Sequence, residues 1–213
     1  MLEFFEQVGT NLKNTTALEY IAVVAGIVSV WFSRKENIWV YPTGLVNTII
    51  YIYICFKFHL LGEAAVNVYY SIMSLYGWWM WARKDNNATP LLHISFSNKM
   101  QWIQQLIFFL AFFVGLFFII TFLRPDFPGV IPAPDAFATA AAFTGMWLMA
   151  RKKVESWWWW IVTNIASVPL YYVKGLALSS IFYVVLLVMA VFGLLEWQRK
   201  ARLPRNIALE LQS

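Results

Sequence analysis

Seven apolar segments constrain this chain more than any motif in it. They run at roughly 17–33, 38–57, 62–82, 101–123, 135–150, 157–174 and 178–198, joined by short charged connections. Most reach or pass the roughly 18 apolar residues that mark a membrane-crossing helix. Within lipid only helices or closed barrels satisfy their own backbone hydrogen bonds, so all seven segments are expected to be helices. Composition agrees: 61% of the residues are hydrophobic and 13% charged, against about 25% charged in a soluble domain. Met1 to Lys13 carries three charges and does not read as a cleavable signal.

The basic residues alternate in density from one connection to the next. Arg34, Lys35, Arg83, Lys84, Lys99, Arg151, Lys152, Lys153, Arg199, Lys200, Arg202 and Arg205 follow the odd-numbered helices, twelve on one face. Lys13, Lys57, Arg124 and Lys174, only four, mark the other. The positive-inside rule then places the C-terminus in the cytoplasm and the N-terminus outside, as an odd number of spans requires. The pI near 9.3 follows from these helix-end anchors and does not suggest nucleic-acid binding. The single cysteine, Cys55, excludes an internal disulfide.

The chain also repeats itself. Trp31-Phe32-Ser33-Arg34-Lys35 resembles Trp147-Leu148-Met149-Ala150-Arg151-Lys152. Gly77, Trp81, Arg83 and Lys84 match Gly193, Trp197, Arg199 and Lys200 at a spacing of 116, while Asn47–Asn164 and Lys57–Lys174 match at 117. One helix, 101–123, lies between the copies, so both enter the membrane in the same direction. The expected fold is all-α: seven transmembrane helices in two parallel three-helix repeats joined by a central linker helix. The divisions are an outer N-terminal segment (1–16), a first repeat (17–84), a linker with its helix (85–134), a second repeat (135–200) and a cytoplasmic tail (201–213).

Four consecutive tryptophans open the sixth helix. At 3.6 residues per turn, Trp157, Trp160, Asn164, Ser167 or Val168, and Tyr171 form one stripe. Trp158 and Trp159 fall on other faces, where an interfacial belt or packing accounts for them. An asparagine in hydrocarbon is costly unless a partner or a polar ligand satisfies it, and helix stitching is one such use. Its apparent duplication at Asn47 favours ligand contact. On the second helix Thr43, Asn47 and Tyr51 share a face, with Pro42 and Gly44 as candidate bend points. Asn67 on the third helix and Gln104 or Gln105 on the central one are weaker candidates.

Absences narrow the function. Glu19, Glu63 and Glu196 sit at helix ends, and His59 and His93 fall in loops. The pattern offers no intramembrane carboxylate for ion coupling, no metal motif and no nucleophile–base pair. An enzyme is therefore the weakest reading and facilitated diffusion the strongest. A ligand-sensing membrane protein that does not transport is the competitor from another class.

Tyr41-Pro42-Thr43-Gly44-Leu45-Val46-Asn47, then Ser74-Leu75-Tyr76-Gly77-Trp78-Trp79-Met80-Trp81 and the later tryptophan–asparagine helix, together resemble the PnuC family of bacterial nicotinamide riboside transporters. The likeness runs from about residue 17 to 200, with Tyr41 where the family pattern has tryptophan. It implies a fold like that of the SWEET sugar transporters and energy-independent uptake across the bacterial inner membrane. It also implies trapping by a cytoplasmic riboside kinase, a homo-oligomer such as a trimer, and no cofactor. A glycosylated nicotinamide ring is flat and cationic, which suits tryptophan faces. Its carboxamide and hydroxyls suit amides. Stacking plus amides does not name a ring, so thiamine or another riboside stays open.

Overall fold

The computed structural model describes residues 16–57, 61–85, 89–123 and 130–203. Lys13, His59, Arg124 and Arg205, with nearly all of the N-terminal segment and most of the C-terminal tail, lie outside the described residues. The described chain forms seven helices: α1 (Ala17–Arg34), α2 (Val40–Lys57), α3 (Leu61–Ala82), α4 (Lys99–Leu123), α5 (Pro132–Ala150), α6 (Glu155–Val173) and α7 (Ala177–Ala201). Each agrees with its expected segment to within about three residues. A capping box between Thr16 and Glu19 starts α1, satisfying amides that the first turn leaves unpaired. Pro132 stands at the N-terminus of α5, where its missing N–H costs nothing. Pro42 likewise lies in the first turn of α2 and does not interrupt the helix beside the site.

By mean hydropathy alone, α1, α4 and α7 are apolar enough to cross a membrane. The other four carry more aromatics, small residues and amides, and part of these face inward, among them Tyr41, Ser74, Thr144 and Asn164. In α5, Ala136, Ala138, Ala140, Ala141, Ala142 and Gly145 are all buried, so neighbouring helices approach its backbone closely. Helix α2 lies between α1 and α3, and α6 between α5 and α7. The two repeats meet where α1 packs on α7 and α3 on α5, and α4 packs on α5. This is an all-α integral membrane fold of two parallel three-helix repeats joined by a linker helix.

Contacts between equivalent residues show how the repeats are related. Ser33 donates to the Met149 sulfur at 3.0 Å, Glu36 meets Lys152 Nζ at 2.8 Å, and the Trp81 and Trp197 rings lie 6.2 Å apart. In each pair the partners are 116 residues apart. Counterparts touch in this way only beside a two-fold axis running along the bundle. Glu36 and Lys152 also share a left-handed backbone, at φ 61° and 51°.

Close packing follows the same symmetry. Tyr41 lies over Gly77 and Trp157 over Gly193, and a Cβ at either glycine would come within 2.5 Å of the ring above it. Only glycine lets these helices meet there. Tyr41 packs edge-on to Trp81 at 5.2 Å and Trp157 edge-on to Trp197 at 5.6 Å. The four rings form an aromatic plug at the basic end of the bundle.

The structural register is thus 116, which corrects the 117 spacing used to pair the asparagines. One residue of slip turns a helical side chain by about 100°. In register, Asn164 is the counterpart of Thr48 and Asn47 the counterpart of Thr163. The two asparagines are not equivalent.

Candidate functional site between the repeats

Above the plug, three inward stripes converge. Helix α2 contributes Tyr41, Gly44, Thr48 and Tyr51, and α3 contributes Tyr70, Ser74 and Gly77. Helix α6 contributes Trp157, Trp160, Asn164, Ser167 and Tyr171, as the helical spacing predicts. The structure brings Trp160 to 6.4 Å from Tyr70, joining the two repeats through aromatic faces. Deeper along α6, the hydroxyls of Tyr171 and Ser167 meet that of Tyr183 on α7. The Tyr171 and Tyr183 rings stack at 4.9 Å. Tyr51 and Tyr70 lie near the same Tyr183 hydroxyl.

Each expected residue has a definite place. Asn164 is 3% exposed and has no hydrogen-bond partner among the described residues. Asn47 is different: its Nδ2 donates to the Ala22 carbonyl at 2.7 Å, tying α2 to α1. Thr43 and Asn67 bond their own helices, at Trp39 O (2.7 Å) and Glu63 O (2.9 Å). Trp157 is 1% exposed and belongs to the plug rather than the convergence above it. Trp160 is half-buried, with its ring against Gly145.

The middle tryptophans separate. Trp158 is exposed to the membrane side, whereas Trp159 packs on Phe109 at 5.0 Å and donates Nε1 to Gln105 Oε1 at 3.1 Å. Gln105 is fully buried, and its amide donates to Ser97 Oγ. The Ser97 amide and hydroxyl in turn donate to Glu155. This relay fixes the start of α6 against α4 and uses both ends of Gln105. Gln104 instead lines a surface cleft with Ser97, Gln101, Trp147, Arg151 and Lys153.

Ion pairs lie at both ends. At the basic end Glu36 holds Lys152 at 2.8 Å and Lys200 at 3.4 Å, with the Glu36 and Lys152 side chains only 3% and 5% exposed. Lys152 also covers the Trp81 ring at 4.7 Å. Burial pushes its ammonium below the ordinary value of 10.5, against the opposing pull of Glu36. At the opposite end Lys174 bonds Asp135 at 2.6 Å and lies over Tyr171. Every charge in the described helices stands within six residues of a helix end.

Sequence reasoning missed Tyr183 and underrated Tyr70 and Ser74. Tyr183 stands in a largely apolar helix, and its hydroxyl, close after those of Ser179 and Ser180, is the signal that marks it. The arrangement can stack a flat ring on Trp160, offer an amide from Asn164, and ring both with phenol hydroxyls. Its described interior presents no fixed charge.

Comparison with known proteins agrees with this fold. A family model described as nicotinamide mononucleotide transporter matches residues 16–199. The riboflavin/roseoflavin transporter RibM of Streptomyces davaonensis is 24% identical over 90% of this chain and 89% of its own length. The nicotinamide riboside transporter PnuC of Escherichia coli is 23% identical over 92% of this chain and 90% of its own. The crystal structure of the vitamin B3 transporter PnuC superposes with a TM-score of 0.68 at 24% identity, covering 94% of this chain and 89% of that one. The chain belongs to the PnuC family: it is a multi-pass membrane transporter of a vitamin-like substrate, not an enzyme.

Proposed function

We propose that the chain carries nicotinamide riboside across the bacterial inner membrane by facilitated diffusion. The observation that carries this reading is Asn164, buried to 3% exposure, without a hydrogen-bond partner among the described residues and one turn from the Trp160 ring. A ligand amide placed there gives the Asn164 side chain a hydrogen-bond partner that the described residues do not supply. In this reading the cationic pyridinium stacks on Trp160 beside Tyr70, and its carboxamide exchanges hydrogen bonds with Asn164. The absence of interior charge among the described helices supports two further points. A phosphate would find no cationic partner there, so the mononucleotide is not the cargo. Among the described residues each helix carboxylate stands near a helix end, so none lies mid-membrane to couple proton or sodium flow. Net uptake then depends on a cytoplasmic kinase that phosphorylates the riboside, with the C-terminus on the same side as that kinase. The functional unit is a homo-oligomer.

Purified protein in liposomes tests this directly. Labelled nicotinamide riboside equilibrates across the vesicle without an ion gradient, and Asn164→Ala slows the exchange. A requirement for a proton or sodium gradient overturns the facilitator mechanism. A second reading, transport of a flavin, is favoured by the likeness to RibM. Riboflavin is neutral, so cation–π attraction contributes nothing to it. Faster exchange of riboflavin than of nicotinamide riboside decides for that reading.

A further inference from the structure

The surface cleft at the basic end shares no lining residue with the inward stripes, and it has the make-up of an anion site. It holds about 200 Å³, counting its open mouth, between the start of α4 and the end of α5. Arg151 and Lys153 both line it, together with Gln101 and Gln104. Two like charges in one cleft repel each other, and neither belongs to an ion pair among the described residues. The carboxylate that acts on Lys153 is Glu155, which is 4% exposed and already accepts from the Ser97 amide and hydroxyl. Burial and Arg151 hold the Lys153 ammonium below its ordinary 10.5, against the pull of Glu155.

Both cations are positioned with donors to spare. The Arg151 guanidinium lies over the Trp147 ring at 4.6 Å, and that ring stacks on Phe108 of α4 at 4.8 Å. Stacking uses the flat face of a guanidinium and leaves its in-plane N–H fork for an anion. Lys153 Nζ donates to Ser95 Oγ at 3.0 Å and to Phe96 O at 3.5 Å, so one of its three N–H groups stays available. The first repeat solves the same problem differently. Trp31, the counterpart of Trp147 in the 116 register, carries Arg34 at 4.2 Å, but there Glu196 neutralises the guanidinium at 3.2 Å. No described carboxylate takes that part at Arg151.

We infer that this cleft binds the phosphate of an anionic glycerophospholipid in the leaflet at the basic end of the bundle. Basic pockets between transmembrane helices hold such headgroups by charge and hydrogen bonding. Two phosphate oxygens match the Arg151 fork, Lys153 supplies a compact charge, and Gln101 and Gln104 supply amide donors. The shape of α4 selects a lipid over a soluble phosphate. The helix face that starts with Gln101 and Gln104 runs on to Ile107, Phe108 and Ala111. Ile107 is 62% exposed, so apolar surface for an acyl chain begins one turn from the headgroup. Trp147 stands where indole rings favour the membrane interface.

Lipid titration of the purified full-length chain in detergent tests it. Phosphatidylglycerol, zwitterionic phosphatidylcholine and inorganic phosphate are added in turn, with binding read by native mass spectrometry and by melting temperature. Wild type retains phosphatidylglycerol and melts higher with it; neither other probe has this effect. Arg151→Gln and Lys153→Gln each weaken phosphatidylglycerol about fivefold, the contribution of one basic residue beside an anionic lipid. Arg83→Gln also removes an arginine from a tryptophan face, at 5.0 Å over Trp79, but outside the cleft, and leaves retention unchanged. Equal retention of phosphatidylcholine, or equal losses for Arg83→Gln and Arg151→Gln, overturns the site in favour of diffuse surface charge. Protection by inorganic phosphate as strong as that by the lipid overturns the lipid and makes a soluble phosphate compound the occupant. If the basic variants do not yield folded protein, Gln104→Glu sets a carboxylate at an exposed position of the cleft. Unchanged retention of phosphatidylglycerol by that variant overturns the proposal.

Discussion

Replacing Gly193 with alanine sets two physical effects against each other, and the structure decides between them. In an exposed helix the change stabilises by up to about 1 kcal/mol, because alanine loses less backbone entropy. Here the new methyl would lie 2.5 Å from Trp157 Cη2 and 2.6 Å from Cζ2 and Cζ3. Carbon atoms in good contact sit about 3.5–4.0 Å apart, so the ring must retreat by about 1 Å. It has little room to do so: Trp157 is 1% exposed and edge-on to the fully buried Trp197. Overpacking of this kind costs about 1–3 kcal/mol, leaving a net loss of about 1–2 kcal/mol. For a chain of this size the melting temperature falls by about 2–8 °C, measured by thermal unfolding in detergent. Gly115→Ala in α4 is the matched control, since nothing lies within 4 Å of its Cβ. That variant holds its melting temperature or gains a few degrees. A shorter ring at Trp157→Phe rescues Gly193→Ala and also removes an indole N–H that has no partner. If both glycine variants melt higher than wild type, the plug is not packed as described.

The two asparagines separate by assay. Asn164→Ala loses substrate affinity with little change in melting temperature, since Asn164 has no hydrogen-bond partner among the described residues to lose. Asn47→Ala costs about 0.5–1.5 kcal/mol through its bond to Ala22 O and keeps affinity; equal affinity losses refute the distinction. Lys152→Met leaves Glu36, 3% exposed, with only Lys200 at 3.4 Å, and lowers stability by about 2–4 kcal/mol in thermal unfolding. An unchanged melting point refutes that ledger. The pH dependence of the same residue has a definite sign. Burial lowers its folded pKa from 10.5, so below the folded value the charged form costs stability. That cost is relieved as pH rises toward 10.5. The wild-type profile minus that of Lys152→Met therefore climbs with alkaline pH, and a falling difference is the opposite of this account. Gln105→Leu strands the Trp159 indole N–H and removes the donor to Ser97 Oγ, lowering stability by about 1–3 kcal/mol; no change in melting temperature removes the relay from the argument.

The helices were legible because their signal is a sum over about twenty residues, and each boundary moved by three residues at most. The repeat was legible for the same reason. Its register was legible at Gly77–Gly193 and Trp81–Trp197, spaced by 116, but not at the asparagines, because matching one asparagine to another rewards identity of side chain, whereas the fold conserves the direction in which a side chain points. The constraint lies in the pairs that cannot shift: Tyr41 over Gly77 and Trp157 over Gly193 leave no room for a slip of one residue, and Glu36 reaches Lys152 across the axis. With 116 imposed, the aromatic–asparagine motif ceases to be a duplicated site. Asn47 becomes a stitch between α1 and α2, and Trp157 becomes part of a plug. What is left of the motif, Trp160 and Asn164, is present in the second repeat alone. Near-symmetric repeats give a transporter two related halves that can rock about one axis. Recognition of an asymmetric substrate requires those halves to differ where they meet it, and Gly44 facing Trp160 in the register is where this sequence departs from its own symmetry.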